Sequence, residues 1–370
     1  MNSKKVGKTT TENYIFDSSV PNDSIDIYGD VDITIRNLKG LYPNELRIEI
    51  EGKCIDYSII NALRRTAMMS IPIYAFHRSN VFIETDKSKH MYNNDLLYNQ
   101  LETMPIFDIP NYYDLVNPSV FLSTEVMKNL FGNFIQDEYT EDKDESAEEE
   151  IDPKKKLFKI ELYLNVKNNN DKDLFITSHH TVLKIDGKIS NSYKMRRPFS
   201  IIVLKPTEEI SLKAEANLGI SKMHAMYEAT TNIIYEELSP TKFLFWYETL
   251  EQLDKNIIFT KTCIILVKKL QFLKKFIKET YTEPQDISKI IEIQLYGEDH
   301  TVGNLIATAL QKCVYVEKAA YTKPHHFIDQ IIISYKLFAK SKKDPITILI
   351  DTIKYIIRVF EMVEKKFIPK

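Results

Sequence analysis

DYSIINALRR, residues 56–65, and DHTVGNLIAT, residues 299–308, follow one pattern: Asp, any residue, Ser or Thr, Ile or Val, any residue, Asn. The second copy stands 243 positions after the first, from 56 to 299 and from 61 to 304 alike. Each copy follows an alternating apolar and polar run, ELRIEIEG at 45–52 and KIIEIQLYG at 289–297, which has the period of a half-buried strand. Each precedes an apolar face at helical spacing: Ile59, Ala62, Leu63 and Ala67 in one, Val302, Leu305, Ile306, Ala309, Leu310 and Cys313 in the other. Ser58 and Thr301 are the expected caps, with Asp56 upstream favourable to the helix dipole. A single copy would pass for an ordinary helix start, since Asp and Ser/Thr favour caps everywhere. Two copies in matching surroundings indicate a repeated strand, loop and capped-helix unit.

Each unit is followed by a long one-sided helix. NIIFTKTCIILVKKLQFLKKFIKETY carries its lysines opposite an apolar stripe and closes at Pro284; DPITILIDTIKYIIRVFEMVEKKF has Pro345 in its first turn. Stripes of this kind need a cover. The economical arrangement is that each half covers the other, as in an isologous dimer, within one chain. Asn61 and Asn304 then lie in the first turns of facing helices, where a polar side chain permits a specific hydrogen bond, and Gly303 removes bulk beside Asn304. The expected fold is α+β: two modules pairing within one chain, with an inserted mainly β domain in the first half. The expected boundaries are an arm at 1–43 with a short strand at 31–35, a larger module at 44–72 and 186–283, the insertion at 73–185, and a smaller module at 288–370. Strands are expected within VFIET, LFKIELYLNV, HHTVLKID, FSIIVLKP, ISLKAEANLGI and FIDQIIISYK, with a turn or bulge at Gly219 and a short helix in DLLYNQLETMPI that Pro105 stops. The acidic stretch 137–156 is expected to be a solvated loop.

The chain has 370 residues, 44% hydrophobic and 27% charged, ordinary globular values with room for two cores. A formal net charge of −3 provides no whole-chain basic field for nucleic acid. Cys54, Cys263 and Cys313 are widely spaced, with no C-x-x-C, which indicates neither a disulfide framework nor a cysteine zinc site and fits a reducing compartment. The first residues lack a signal-peptide core and nowhere do 18 apolar residues run together, so a soluble protein is expected.

Catalytic chemistry does not emerge from the residues. VGKTT at 6–10 mimics the end of a phosphate-binding loop, but Asn2 stands where that motif needs Gly. The pairs His179–His180 and His325–His326 diverge if extended and suit surface turns better than a metal. No nucleophile, base and orienting group stand together. No catalytic residue, metal or cofactor is expected, and architecture alone gives a paired-module binding protein.

At NALRRTAMMSIP, with DLLYNQLETMPI further on, the chain resembles the alpha-type assembly subunits of multisubunit RNA polymerases. The phrase Gly219, Ser221, Lys222, His224, Ala225 is similar to the G-x-[GS]-K-x-H-A stretch of the larger alpha-like partner. YGEDHTVGNLIATAL, followed by Tyr321, Pro324 and His325, resembles the smaller partner's E-D-H-T-[LV]-G-N and later G-Y-x-x-P-H. The resemblance covers roughly 44–110, 157–250 and 288–370. It implies that the third-largest and eleventh subunit types are fused here, as in large cytoplasmic DNA viruses. The fused chain would be a non-catalytic platform whose intramolecular pairing uses Asp56, Ser58, Asn61, Leu63, Asp299, Thr301, Gly303, Asn304 and Leu305. Gly219, Lys222, His224, Tyr321, Pro324 and His325 are its structural motif residues. Implied partners are the second-largest and largest polymerase subunits and other small subunits, with no nucleic acid and no membrane bound directly and no obligate homodimer. The implied compartment is host cytoplasm and virion if viral, nucleus if cellular. Arg64 and Arg65, by residue type a solvated helix face, are implied to face the second-largest subunit, where a five-donor fork grips carboxylates or carbonyls; Met104 and Pro105 join them. The family's cysteine-held zinc has no counterpart between Cys54 and Cys263. An enzyme with a site between the halves and a homo-oligomeric structural protein are the alternatives from other classes.

Overall fold

The computed structural model describes residues 28–84, 88–109, 158–281, 289–328, 330–339, 341 and 343–368. The acidic stretch 137–156, residues 1–27 of the expected arm and Pro284 lie outside them.

The first repeated unit is β2 (Glu45–Glu51) and α1 (Tyr57–Met69); the second is β14 (Ile291–Tyr296) and α4 (His300–Lys312). β1 (Thr34–Asn37) lies on one edge of β2, three residues later than the strand expected at 31–35. On the other edge is a hairpin that the sequence reading did not anticipate, β12 (Thr230–Ser239) and β13 (Lys242–Thr249), turned at Pro240 and Thr241. The resulting antiparallel order is β1-β2-β13-β12. β13 sets Phe243 against Ile50 and Phe245 against Ile48, and all four side chains are buried. The second sheet runs β14-β16-β15, with β15 (Val316–Thr322), also unanticipated, and β16 (Gln330–Leu337).

The long helices are α3 (Lys255–Thr280) and α5 (Pro345–Lys366), each capped by an Asp. Asp254 accepts from the Asn256 N–H at 2.8 Å and Asp344 from the Thr347 N–H at 2.9 Å, while Pro345 takes a first-turn position that needs no N–H partner. The two helices pack against each other, with the Phe259 and Phe367 rings 4.5 Å apart. Leu266, Leu270, Leu273, Ile353, Ile356 and Phe360 fill one core that also takes in both sheets, α1 and α4. Each fully buried side chain of this kind contributes about 1.5–3 kcal/mol against the entropy of ordering it.

A second core runs from Tyr74 to Ala216. Its sheet has the order β4-β10-β5-β7-β8: β4 (Val81–Ile83), β5 (Ile160–Lys167), β7 (Val182–Ile185), β8 (Lys188–Ser190) and β10 (Glu209–Glu215). Two ribbons flank it, β3 (Ile73–Ala75) with β11 (Asn217–Gly219) and β6 (Leu174–Thr177) with β9 (Ser200–Leu204), and α2 (Asn94–Glu102) packs on β9. The reading that gave 186–283 to the larger module is therefore moved: Ile201, Ile202, Leu204, Ile210 and Leu212 belong to the second core, because β10 pairs with β5 along its whole length. His179 and His180 sit in a short 3-10 turn, where the His180 ring accepts from the Thr177 N–H at 3.1 Å.

Two contacts fasten the start of the described chain to its far end. The Tyr28 hydroxyl shares a hydrogen bond with Thr352 Oγ1 at 2.7 Å and donates to the Ala309 carbonyl at 3.2 Å, and its ring stacks on Tyr355 at 4.2 Å. Asn37 donates to the Ile368 carbonyl at 2.6 Å. The segment 28–37 is thus a strap across α4 and α5. Tyr28→Ala removes the stack and both polar contacts and is expected to lower stability by about 2–4 kcal/mol in urea unfolding, whereas Tyr28→Phe, which keeps the ring, costs about 1 kcal/mol.

Candidate functional site

The caps of the repeated helices are the aspartates, two residues before the Ser58 and Thr301 expected for the role. Asp56 accepts from the Ser58 N–H at 2.7 Å and the Ile59 N–H at 3.1 Å; Asp299 accepts from the Thr301 N–H at 2.9 Å. A carboxylate wins over a hydroxyl here because it brings a full negative charge to the helix N-terminus and keeps a second oxygen free. Ser58 turns its hydroxyl back to Asp56 at 2.5 Å.

That second oxygen reaches across to the other helix. Asp56 Oδ2 pairs with Lys312 Nζ in the last turn of α4, and Asp299 Oδ2 pairs with Arg65 Nη2 at 3.2 Å, while Arg65 Nε donates to Thr301 Oγ1 at 2.7 Å. The start of each helix therefore meets the later turns of the other, so α1 and α4 run antiparallel. Tyr57 and Thr308 complete the exchange, their hydroxyls 3.5 Å apart. Thr308 stands at the repeat position of Arg65 and Tyr57 at that of His300, so the contacts come from corresponding regions of the two repeats though not from equivalent residue pairs. Leu63 and Leu305 are buried in the same core.

The asparagines behave differently from expectation. Asn61 accepts from Arg64 Nε at 3.0 Å on its own helix, and Asn304 makes no side-chain hydrogen bond among the described residues. Gly303 serves its own half: a Cβ there would stand 2.4 Å from the Tyr321 ring, so the glycine seats β15 on α4 and does not bring α1 closer. Tyr321 reaches on to His300 Nδ1 at 3.3 Å. Gly219 has the same task under Tyr227, 2.5 Å from the Cβ it lacks, and lies in β11 opposite Ile73 instead of in a turn or bulge.

Lys222 follows that ribbon, its N–H bonded to the Met69 carbonyl at 3.1 Å at the end of α1. His224 caps the next turn, accepting from the Met226 N–H at 3.3 Å. Pro324 and His325 are exposed, with His325 Nδ1 accepting from the Phe327 N–H at 3.2 Å. Met104, expected at a partner face, is 3% exposed within the second core and acts by packing. Pro105 is half-buried, its carbonyl accepting from Tyr193 Oη at 3.0 Å. Arg64 remains half-exposed with Asn61 as its hydrogen-bonding neighbour, while Arg65 is spent inside the chain.

Glu298 completes the cluster. It is buried and pairs with Lys269 Nζ of α3 at 2.7 Å. Burial raises its carboxyl above the ordinary value despite Lys269 and Lys222, and the charge of Asp299 pushes the same way. For Asp299, burial acts upward, but Lys269, the Thr301 donors and Arg65 outweigh it and bring the carboxyl down to about 2. Burial likewise opposes, and Lys312 and Ser58 overcome, at Asp56, which is held below its ordinary value. Sequence reading missed Lys312 and Lys269; a lysine in the last turn of a helix was the available signal, but its partner lies in the other repeat. Among the described residues no group of three or more His, Cys, Asp and Glu could hold a metal ion, and no helix is long and apolar enough to cross a membrane.

Replacing Asp299 by Ala removes a cap and a partly buried ion pair, and is expected to cost about 2–3 kcal/mol in urea unfolding; Asp299→Asn, which can still cap, costs about half as much. Because the folded carboxyl titrates at about 2 against an ordinary 3.8, its contribution is complete above pH 4 and is lost as pH falls toward 2. An acid-unfolding curve of Asp299→Asn should therefore be flatter than wild type in that window.

Residues 290–366 match the RNA polymerase Rpb3/Rpb11 dimerisation domain. A protein of Acanthamoeba polyphaga mimivirus, provisionally named a DNA-directed RNA polymerase subunit, is 52% identical over 353 residues, 95% of this chain and 98% of its own length. Subunit Rpo11 of DNA-directed RNA polymerase from Saccharolobus shibatae is 48% identical over 46 residues, 12% of this chain and 50% of the archaeal one. Its counterpart in Sulfurisphaera tokodaii is 51% identical over 43 residues, 12% and 46%. This chain spans about half the length of those archaeal subunits. With the repeated capped helices, the dimerisation-domain match and a relative aligned from end to end, the chain belongs to the family of viral DNA-directed RNA polymerase subunits that the mimivirus protein represents.

Proposed function

We propose that the chain is a non-catalytic assembly platform of a multisubunit DNA-directed RNA polymerase, in which a larger and a smaller alpha-like module, fused in one chain, pair with each other and dock the two large catalytic subunits. The observation that carries this reading is the reciprocal clamp, Asp56 to Lys312 and Asp299 to Arg65. Two helices of one chain, one from each repeat, meet there through corresponding regions. Fusion holds one module around the other at roughly millimolar effective concentration, so pairing does not depend on dilution. The inserted body, with its own core, hangs from the end of α1 through β3 and β11.

Partners on this reading are the second-largest and largest subunits and other small subunits of the polymerase, with no nucleic acid or membrane bound by the chain itself. Its place is the site of viral transcription in host cytoplasm, and the virion. Arg64 remains the candidate docking arginine, since its guanidinium is not engaged with a carboxylate of the chain among the described residues; Arg65 is replaced in that role by its neighbour.

At nanomolar concentration the purified chain should sediment as a folded monomer; obligate self-association through α4 would contradict the intramolecular pairing. Arg64→Glu should reduce recovery of the two large chains in a pull-down at least tenfold while melting temperature stays within about 2 °C of wild type. Undiminished recovery would remove Arg64 from the docking face.

A further inference from the structure

Between β1 and β2 the chain uses seven residues, 38–44, where two would close a hairpin. The backbone of this loop is held at successive residues. The Glu45 carboxylate, buried at the foot of β2, accepts from the Leu41 N–H at 2.5 Å and the Tyr42 N–H at 3.4 Å. Lys255 Nζ of α3 donates to the Pro43 carbonyl at 2.8 Å and the Glu45 carbonyl at 3.0 Å. Asn44 Nδ2 donates to the Thr249 carbonyl at 2.9 Å, and the Thr249 N–H donates back to the Asn44 carbonyl at 3.0 Å. Gly40 lets the turn lie on Glu45: a Cβ there would stand 3.1 Å from the Glu45 Cβ and 3.3 Å from its Oε2. These bonds all hold the backbone, while the side chains of Leu41 and Tyr42 stand 77% and 57% exposed at the tip.

Apolar residues scattered singly over a surface need no explanation. Here a leucine and a tyrosine stand side by side on a loop stiffened by a buried carboxylate, whose desolvation the fold must offset. Neither side chain belongs to either core, so the stiffness does not serve packing. It serves binding. A preformed pair of side chains loses little conformational freedom on contact, and tyrosine offers a large contact area on few rotatable bonds.

The chemistry of the tip defines its counterpart. Leucine and the tyrosine ring suit an apolar pocket, and a buried phenol hydroxyl needs a hydrogen-bond partner inside it. Lys39, exposed in the same loop, favours carboxylates at the rim. A lipid surface is the other apolar host. Two such side chains bury less hydrocarbon than a single myristoyl chain, which alone gives only marginal, reversible attachment. Within a larger protein interface the same two side chains are enough for an anchor.

We propose that the loop between β1 and β2 is a preformed docking knob: Leu41 and Tyr42 enter an apolar pocket on one of the two large polymerase chains, with an acceptor for the tyrosine hydroxyl inside it and acidic residues on its rim. The inference rests on the reading of the chain as an assembly platform and adds to it a contact separate from Arg64.

The test is the full-length chain carrying Leu41→Ser and Tyr42→Ser together, co-expressed with the two large polymerase chains. Because both side chains are exposed, melting should stay within about 2 °C of wild type, while recovery of the large chains falls roughly tenfold or more. Tyr42→Phe, which keeps the ring and loses the hydroxyl, should give a recovery between the two. With p-benzoylphenylalanine at position 42, irradiation of the assembled polymerase should cross-link the loop to apolar residues of one large chain, as mapped by mass spectrometry. Undiminished recovery of the double variant, melting lowered by more than about 5 °C, or cross-links confined to the chain itself or to a second copy would overturn the knob while leaving the platform standing. Flotation of the wild-type chain with phosphatidylcholine and phosphatidylserine vesicles, lost in the double variant, would do the same by assigning the tip to a membrane. Failure of the wild-type chain to recover any large chain would overturn both.

Discussion

Two carboxylates each perform two tasks, and the arrangement of the main core follows from that economy. Asp56 and Asp299 close the N-terminal turns of α1 and α4 with one oxygen and hold a cation from the opposite helix with the other. A cap contributes about 1 kcal/mol and a partly buried pair about as much again. The larger effect is geometric. An Asp at the start of one helix can meet a base late in the other only if the helices run antiparallel at a fixed register, and that register places both apolar faces over α3 and α5. The negative end of α4 also gains Lys312 in its last turn, beside the Asp56 that caps α1.

The repeat is symmetric in its acids and asymmetric in its bases. Arg65 stands nine residues after its own cap, but Lys312 stands thirteen after its own, a full turn further on. At the position equivalent to Arg65 the second unit has Thr308, which meets Tyr57 through hydroxyls only. The two interfaces thus solve one electrostatic requirement with different side chains, as two sequences do after long separate adjustment to each other. Small residues show the same pattern: Gly303 under Tyr321 and Gly219 under Tyr227 each give way to an aromatic ring from their own neighbourhood.

Much of this was legible in local pattern. Helix starts, the two long amphipathic helices and the strands β2 and β14 follow from alternation, 3.6-residue periodicity and Asp or Pro at the right offsets, all of which act within a few residues. What escaped the sequence depends on partners far along the chain. The run KFLFWYET has an unbroken apolar centre, Phe243 to Tyr247, in a strand paired on both edges, so it shows no alternation to mark it. Arg65 looks like a solvent-facing helix residue until Asp299, 234 positions away, is brought beside it. Gly303 was assigned to the wrong neighbour because a missing side chain does not say what fills its place. The boundary near 186 failed because β9 and β10 are divided from α3 by sequence motif yet joined to β5 and β6 by hydrogen bonding.

The junction around Glu298 and Asp299 explains why three motifs scattered over the chain are needed together. Two adjacent carboxylates, both largely buried, repel each other, and burial adds to the cost of charging either. Arg65 comes from the first repeated helix, Lys222 from the turn after β11 and Lys269 from α3, and each contributes positive charge to one or both acids. The division is uneven. Asp299 has a cap to complete, with the Thr301 N–H and hydroxyl as donors, so its charged form is held firmly. Glu298 has the ammonium of Lys269 in the interior, and its proton is correspondingly harder to remove. Loss of any one cation leaves a buried negative charge short of compensation, so the three segments that supply them are fastened to the second repeat by electrostatic need as well as by packing. The G-x-S-K turn, which follows the second core, thereby contacts both repeated helices: through the Lys222 N–H to the end of α1, and through its side-chain charge to the acid that precedes α4.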